Sequence, residues 1–170
     1  MLNNQLKLYK VLTYILLPIG YFFGIIDVMF FMSALANPAT LIFVFVIACL
    51  VIYTLTSYKF YSQGILKEQI LKAKLKDWIK VNAYVSLFLC SLFFLNSISI
   101  LISSNATLYK FIDDLISQQP NFPKEATPAL ILSILKIVAS FLFITSAVAL
   151  LHIRITLKLV KENGHLFEKQ

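Results

Sequence analysis

The chain has 170 residues, 59% of them hydrophobic, a formal net charge of +7 and a mean hydropathy of +0.83. No water-soluble domain of this length needs so much apolar surface, so lipid is the expected solvent. The basic excess is not a nucleic-acid signal, because no recognition motif accompanies it, and the tails and loops outside the apolar runs are too short for a separate soluble domain.

Four apolar runs, 11–34, 41–57, 79–103 and 129–153, follow one another. Each suits a helix across the ~30 Å hydrocarbon core, which takes about 20 residues, the second run being the shortest. The runs are continuous rather than alternating, which excludes the strands of a membrane β-barrel. The expected fold is all-α: a polytopic membrane protein whose residues 1–170 form a single domain of four transmembrane helices in an antiparallel bundle.

The first run has the outline of a signal peptide, with Lys7 and Lys10 ahead of it and the small residues Ala34 and Ala36 at its end. Its apolar stretch is longer than the usual 7–15 residues, so it reads as a span. Pro18 removes one backbone donor inside it and should bend it. Gly20 and Gly24 form a GxxxG spacing that lets another backbone approach. Asp27 falls on the same face three residues later, a face expected to point inward. Asn37-Pro38 is a turn signal, so the first two spans should form a hairpin with almost no loop. The second span has no charge before Lys59 and reads as the most lipid-facing of the four. Thr54, Thr56 and Ser57 at its end are expected to bond back to their own helix.

Between the second and third spans, Leu71, Leu75 and Trp78 recur at helical spacing beside Lys72, Lys74 and Lys76. This is a membrane-interface signature. It fits an extension of the third span, a basic amphipathic helix lying on the bilayer, or a partner's docking site. Trp78 and Tyr84 suit an interfacial aromatic belt. The third span carries a stripe of Asn82, Ser86, Cys90, Ser97 and Ser104, interrupted by Phe93, that reads as a packing seam. The following loop, 104–127, has an amphipathic helical stretch with Leu108, Phe111, Ile112, Leu115 and Ile116 on one side and Asp113 and Asp114 on the other. Pro120, Pro123 and Pro128 then direct an extended return, Pro128 being suited to opening the last span. Asn105-Ala106-Thr107 matches a glycosylation sequon, read here as chance. In the fourth span Ser133, Ser140 and Ala147 repeat every seven residues and read as a second packing seam, with Lys136 set within it. His152 lies on another face, beside Arg154.

Lysines and arginines concentrate before the first span, in the 59–80 loop and after the fourth span, whereas the other two connections carry only Lys110 and Lys124. By the positive-inside rule both termini and the 59–80 loop are cytoplasmic, and the 35–40 turn and 104–127 loop face outward. The basic residues should meet anionic headgroups, which makes membrane lipids an expected partner.

Asp27 and Lys136 are ionisable groups inside apolar runs, each costing roughly 2.5–3.5 kcal/mol near a helix centre. At about 1.5 Å per residue, Asp27 lies about 12 Å below the outer end of its span, Lys136 about 10 Å and Asn96 about 9 Å. The matching depths lead to an expected Asp27–Lys136 ion pair, joined by Asn96, as an intramembrane polar centre. Otherwise Lys136 snorkels to the headgroups.

Signals for catalysis are weak. His152 is the only histidine in a span, so a bis-histidine haem lacks its second ligand. No metal-ligand spacing, glycine-rich phosphate loop or nucleophile elbow occurs. Cys49 and Cys90 each fall singly in a span and read as small apolar fillers. No cofactor and no metal are expected. The leading expectation is a non-catalytic integral membrane subunit or accessory protein, associating with itself or with another membrane protein. A second is a small ion-coupled transporter or channel using Asp27 in a dimer. The chain is similar to small multidrug exporters in having four spans and an acidic residue in the first. It departs from them in its greater length, in Asp for Glu and in the surrounding aromatic pattern. A third is a lipid- or quinone-handling enzyme built around His152, Arg154 and Trp78. The Ile-, Lys-, Phe- and Asn-rich composition points to a bacterial inner membrane.

Overall fold

The computed structural model describes residues 2–118, 123 and 127–168. Pro120 and Lys124 lie outside the described residues, as does Lys169. The chain is helical: α1 (Leu2–Ala36), α2 (Leu41–Lys59), α3 (Ala73–Ile102), α4 (Asn105–Ser117) and α5 (Pro128–Glu162). The apolar runs at the heart of α1, α2, α3 and α5 make these four helices long and apolar enough to cross a membrane. The residues group into two compact units, one of 1–90 with 148–170, the other of 91–147.

In the first unit α1 and α2 form the expected hairpin. Asn37 ends α1 and caps the single turn Pro38–Thr40, its Oδ1 accepting from the Ala39 amide at 3.1 Å. The two helices meet at the GxxxG face. A Cβ on Gly20 would sit 2.6 Å from Thr54 Cγ2, and one on Gly24 3.7 Å from Val51. The small-residue spacing is thus used within the chain, by α2. Pro18 lies exposed inside the continuous α1.

The expectation that the second span faces lipid is corrected. α2 is the most buried of the four spans and α1 the least. Ile47, Leu50, Tyr53, Thr54 and Ser57 are all buried, because a helix of nearly uniform hydropathy carries no mark of which side is covered. Its hydroxyls behave as expected: Thr54 donates to the Leu50 carbonyl, Thr56 to Ile52 and Ser57 to Thr54.

After Lys59 the helix widens into a π-helical turn, Phe60–Ile65, closed by the Leu66 amide on the Tyr61 carbonyl. No separate amphipathic helix follows. Glu68 adopts a left-handed φ of 52°, and Leu71 pairs in parallel with Phe167. The pairing runs from the Leu71 amide to the Leu166 carbonyl (2.7 Å) and from the Glu168 amide to the Leu71 carbonyl (2.9 Å). Phe167 stacks on Phe60 with centroids 5.5 Å apart, and Lys76 Nζ lies 5.8 Å from its ring centroid. α3 starts at Ala73, so Lys74, Lys76 and Trp78 occupy its first turns, the extension-of-span form.

Along α3, Asn82, Ser86, Cys90 and Ser97 are buried, as a packing seam requires. Ser104 instead caps α4, its Oγ accepting from the Thr107 amide at 3.2 Å.

In the second unit the buried side of α4, Leu108 and Ile112, packs with Leu132 of α5 and with Ile100, Tyr109, Ile116, Ile131 and Leu135 around them. Phe94 stacks on Phe143 at 5.0 Å. α5 opens with Thr127 accepting the Leu130 amide and Pro128 in the first turn, where its missing N–H costs nothing. The seam expected on α5 is displaced by one residue. Ser133 and Ser140 are exposed and Ala147 is partly buried, whereas Leu132, Ala139, Ser146, Ile153 and Val160 are buried.

Candidate functional site

The densest buried polar group lies in the first unit and centres on His152. Three helices supply it, two of them through pairs four residues apart that share a face. Tyr9 and Thr13 come from α1, Tyr53 from α2, and His152 and Thr156 from α5. All are buried, with Tyr9, Tyr53, His152 and Thr156 at 0% exposure. Side chains this completely covered must satisfy one another, because neither water nor lipid reaches them.

The hydrogen-bond directions follow from counting protons. Thr13 Oγ1 donates its single proton to the Tyr9 carbonyl at 2.7 Å. Toward His152 Nε2, 2.9 Å away, it can only accept, which puts a ring proton on Nε2. Tyr53 donates to His152 Nδ1 at 2.7 Å. Thr156 Oγ1 has one proton for three acceptors, the His152 carbonyl and Tyr53 Oη, each at 2.8 Å, and Tyr9 Oη at 3.3 Å. The arrangement is a neutral imidazole with both nitrogens engaged. The Tyr9 ring stacks on the imidazole at 4.9 Å, and Tyr53 meets it edge-on at 5.7 Å. Tyr61 packs edge-on against Tyr9 at 5.5 Å.

A network satisfied in this way fixes the register of three helices and rigidifies them. It leaves no imidazole lone pair free for a metal or haem, and its partners are hydroxyls and a carbonyl rather than carboxylates. Among the described residues no group of three or more His, Cys, Asp or Glu side chains is arranged to hold a metal ion.

The residues expected to form an intramembrane polar centre have other surroundings. Lys136 Nζ donates to Asn105 Oδ1 at the start of α4, at 2.5 Å. Asn96 is exposed. Asp27 is half-buried on α1, with Oδ1 sheltered and without a hydrogen-bond partner. Among the described residues of the first unit the ion pair is Lys158–Glu162, at 3.8 Å. Asp27 falls in the first unit and Lys136 and Asn96 in the second; within the second unit Asn105, carried by α4, supplies the lysine with an acceptor.

Among the interface residues, Trp78, Lys72 and Lys74 are exposed and Lys76 is partly buried over Phe167. A cleft of about 730 Å³ opens between the Phe60–Ile65 turn and the Gly164–Leu166 turn, bordered by Gly64, Glu68, Leu159 and His165.

Sequence reasoning grouped His152 with Arg154 and Trp78 and missed the hydroxyl partners that hold it, Thr13 and Tyr53. The cluster's available signal was the repeated polar pairing at four-residue spacing, Tyr9 with Thr13 and His152 with Thr156, near the lysine-rich ends of two apolar runs. No family model, curated protein or solved structure matches this chain.

Proposed function

We propose that this chain is a non-catalytic integral membrane protein, a subunit or accessory protein that works by lateral association in the bilayer. Its basic ends and the 59–80 loop face the cytoplasm, in keeping with the positive-inside rule, and a bacterial inner membrane is its location. The observation that carries the reading is Asp27. Its Oδ1 is sheltered but lacks a donor. It shares the face of α1 that carries Gly20 and Gly24, toward α2 and its Cys49, and is itself only partly covered. A carboxylate left this way in hydrocarbon costs roughly 2.5–3.5 kcal/mol, and a donor from a neighbouring span offsets that. Gly20 and Gly24 face α2, and Asp27, one to two turns further along that same face, marks where a neighbouring span supplies the donor. The saturated His152 cluster supports a structural role over catalysis, because no group in it is free to react.

The test is cross-linking in native membranes of a Val28→Cys variant in a Cys49→Ala, Cys90→Ala background. A disulfide-linked species larger than the monomer is expected. Asp27→Leu should reduce it several-fold and Asp27→Asn, which keeps a polar side chain, should preserve it. Absence of any linked species refutes association through this face. Cation or proton flux in proteoliposomes that is lost in Asp27→Asn would establish the transporter reading in its place.

A further inference from the structure

Two cavities of the first unit share Trp78. The apolar one, about 400 Å³, runs along Phe45, Ala48, Cys49 and Ile52 of α2 and Val81 of α3. The other, about 350 Å³, is bordered by Thr56, Lys59 and Gln63 on one side and by Lys72 and Lys74 on the other. Positions 45, 49, 52, 56, 59 and 63 advance by three or four residues at each step, so they form one continuous stripe. Along this stripe α2 changes from apolar (Phe45, Cys49, Ile52) to polar and cationic (Thr56, Lys59, Gln63), with Trp78 lining both cavities and Asp77 and Asn82 of α3 bordering the first.

The dimensions match one leaflet. From Phe45 to Thr56 the helix rises about 16 Å at 1.5 Å per residue, and half of the hydrocarbon core is about 15 Å. Lys59, Lys72 and Lys74 therefore stand at headgroup level when the Phe45–Ile52 stretch is at acyl depth. None of these three lysines is in an ion pair among the described residues. Asp77, which borders the apolar cavity, is the one carboxylate lining either of them. Three cations against one anion select a negatively charged headgroup over a zwitterionic one.

We propose that this groove is a binding site for one anionic phospholipid. Its phosphate lies among Lys59, Lys72 and Lys74, and an acyl chain lies against Phe45, Cys49 and Ile52, with Trp78 at the junction. The site is independent of the association proposed through Asp27.

Trp78 is the only tryptophan, so its fluorescence reports on this position alone. The protein is reconstituted in phosphatidylcholine vesicles containing small fractions of either phosphatidylglycerol or phosphatidylcholine with brominated acyl chains. Brominated phosphatidylglycerol should quench Trp78 at much lower mole fraction than brominated phosphatidylcholine. Each Lys→Gln change at 59, 72 or 74 should reduce the preference by about fivefold. A control triple variant, Lys7→Gln, Lys10→Gln and Lys161→Gln, should keep it. Equal quenching of the unsubstituted protein by the two lipids overturns the proposal whatever the variants do. Equal loss in the control variant also overturns it, since it reduces the effect to overall surface charge.

Discussion

His152 is the residue on which three helices of the first unit agree. Its ring accepts from α2, donates to α1 and is stacked upon by Tyr9. Replacing it by alanine removes a fully buried ring and leaves the Tyr53 hydroxyl without its nitrogen acceptor. Void and stranded donor together are expected to cost about 2–4 kcal/mol. His152→Gln, which retains an acceptor and a donor, should lose less than half as much. Cys49 and Cys90 are free and buried, so their reaction with a thiol dye during heating in detergent provides the readout. An unchanged midpoint for His152→Ala would remove the cluster's structural role. The sequence made Asp27 and Lys136 conspicuous because their charge is unusual in an apolar run. Tyrosine and threonine are ordinary there, and their importance depends on which way they face. Residue counting gives distance along a helix but not rotation about it. Asn105, on a helix outside the apolar runs, supplies the contact to Lys136, and nothing in the spacing of the runs pointed to it.

At the scale of elements, the α1–α2 contact depends on glycine at one of its two small positions. A methyl at Gly20 would collide with Thr54 Cβ at 2.9 Å, part of a β-branched side chain stiff in a helix, whereas a methyl at Gly24 meets Val51 at ordinary contact distance. Gly20→Ala is expected to lower stability by about 1–3 kcal/mol, and Gly24→Ala to leave it nearly unchanged. Adding Thr54→Ala to Gly20→Ala should recover most of the loss. Thermal unfolding of the four proteins checks this, and equal behaviour of the two single glycine variants would contradict the contact. Span number, the Asn37-Pro38 hairpin and the α4 segment were all legible, because each is written in run length, turn chemistry or amphipathic spacing. The buried side of α5 was missed by one residue. The repeat of Ser133, Ser140 and Ala147 resembles a seam, yet Leu132, Ala139, Ser146, Ile153 and Val160 have the same period and are the ones buried. One residue on a helix is a rotation of about 100°. Both repeats are apolar or small enough to pack, so composition does not choose between them. α2 was misjudged for the same reason: a helix apolar all round advertises no side.

For the molecule as a whole, the proposed orientation makes a prediction separate from any contact. In a background lacking Cys49 and Cys90, a cysteine at Ser117 should react with an impermeant thiol reagent added to intact cells. A cysteine at Lys161 should react only after permeabilisation. The opposite pattern would invert the topology drawn from the lysine distribution.

The first unit is assembled from two distant stretches of chain, 1–90 and 148–170, with 91–147 between them in sequence. During synthesis Tyr9, Thr13 and Tyr53 therefore enter the bilayer well before His152 and Thr156 have been translated. For that interval their hydroxyls lack the ring that later engages them, and Leu71 lacks the Phe167 strand partner. Domains generally complete themselves in order of synthesis, but here the earliest helices wait for the latest. A chain cut short before residue 152 keeps Tyr53 and Thr13 but lacks the imidazole that engages them, so its first two helices hold polar groups that the full chain satisfies.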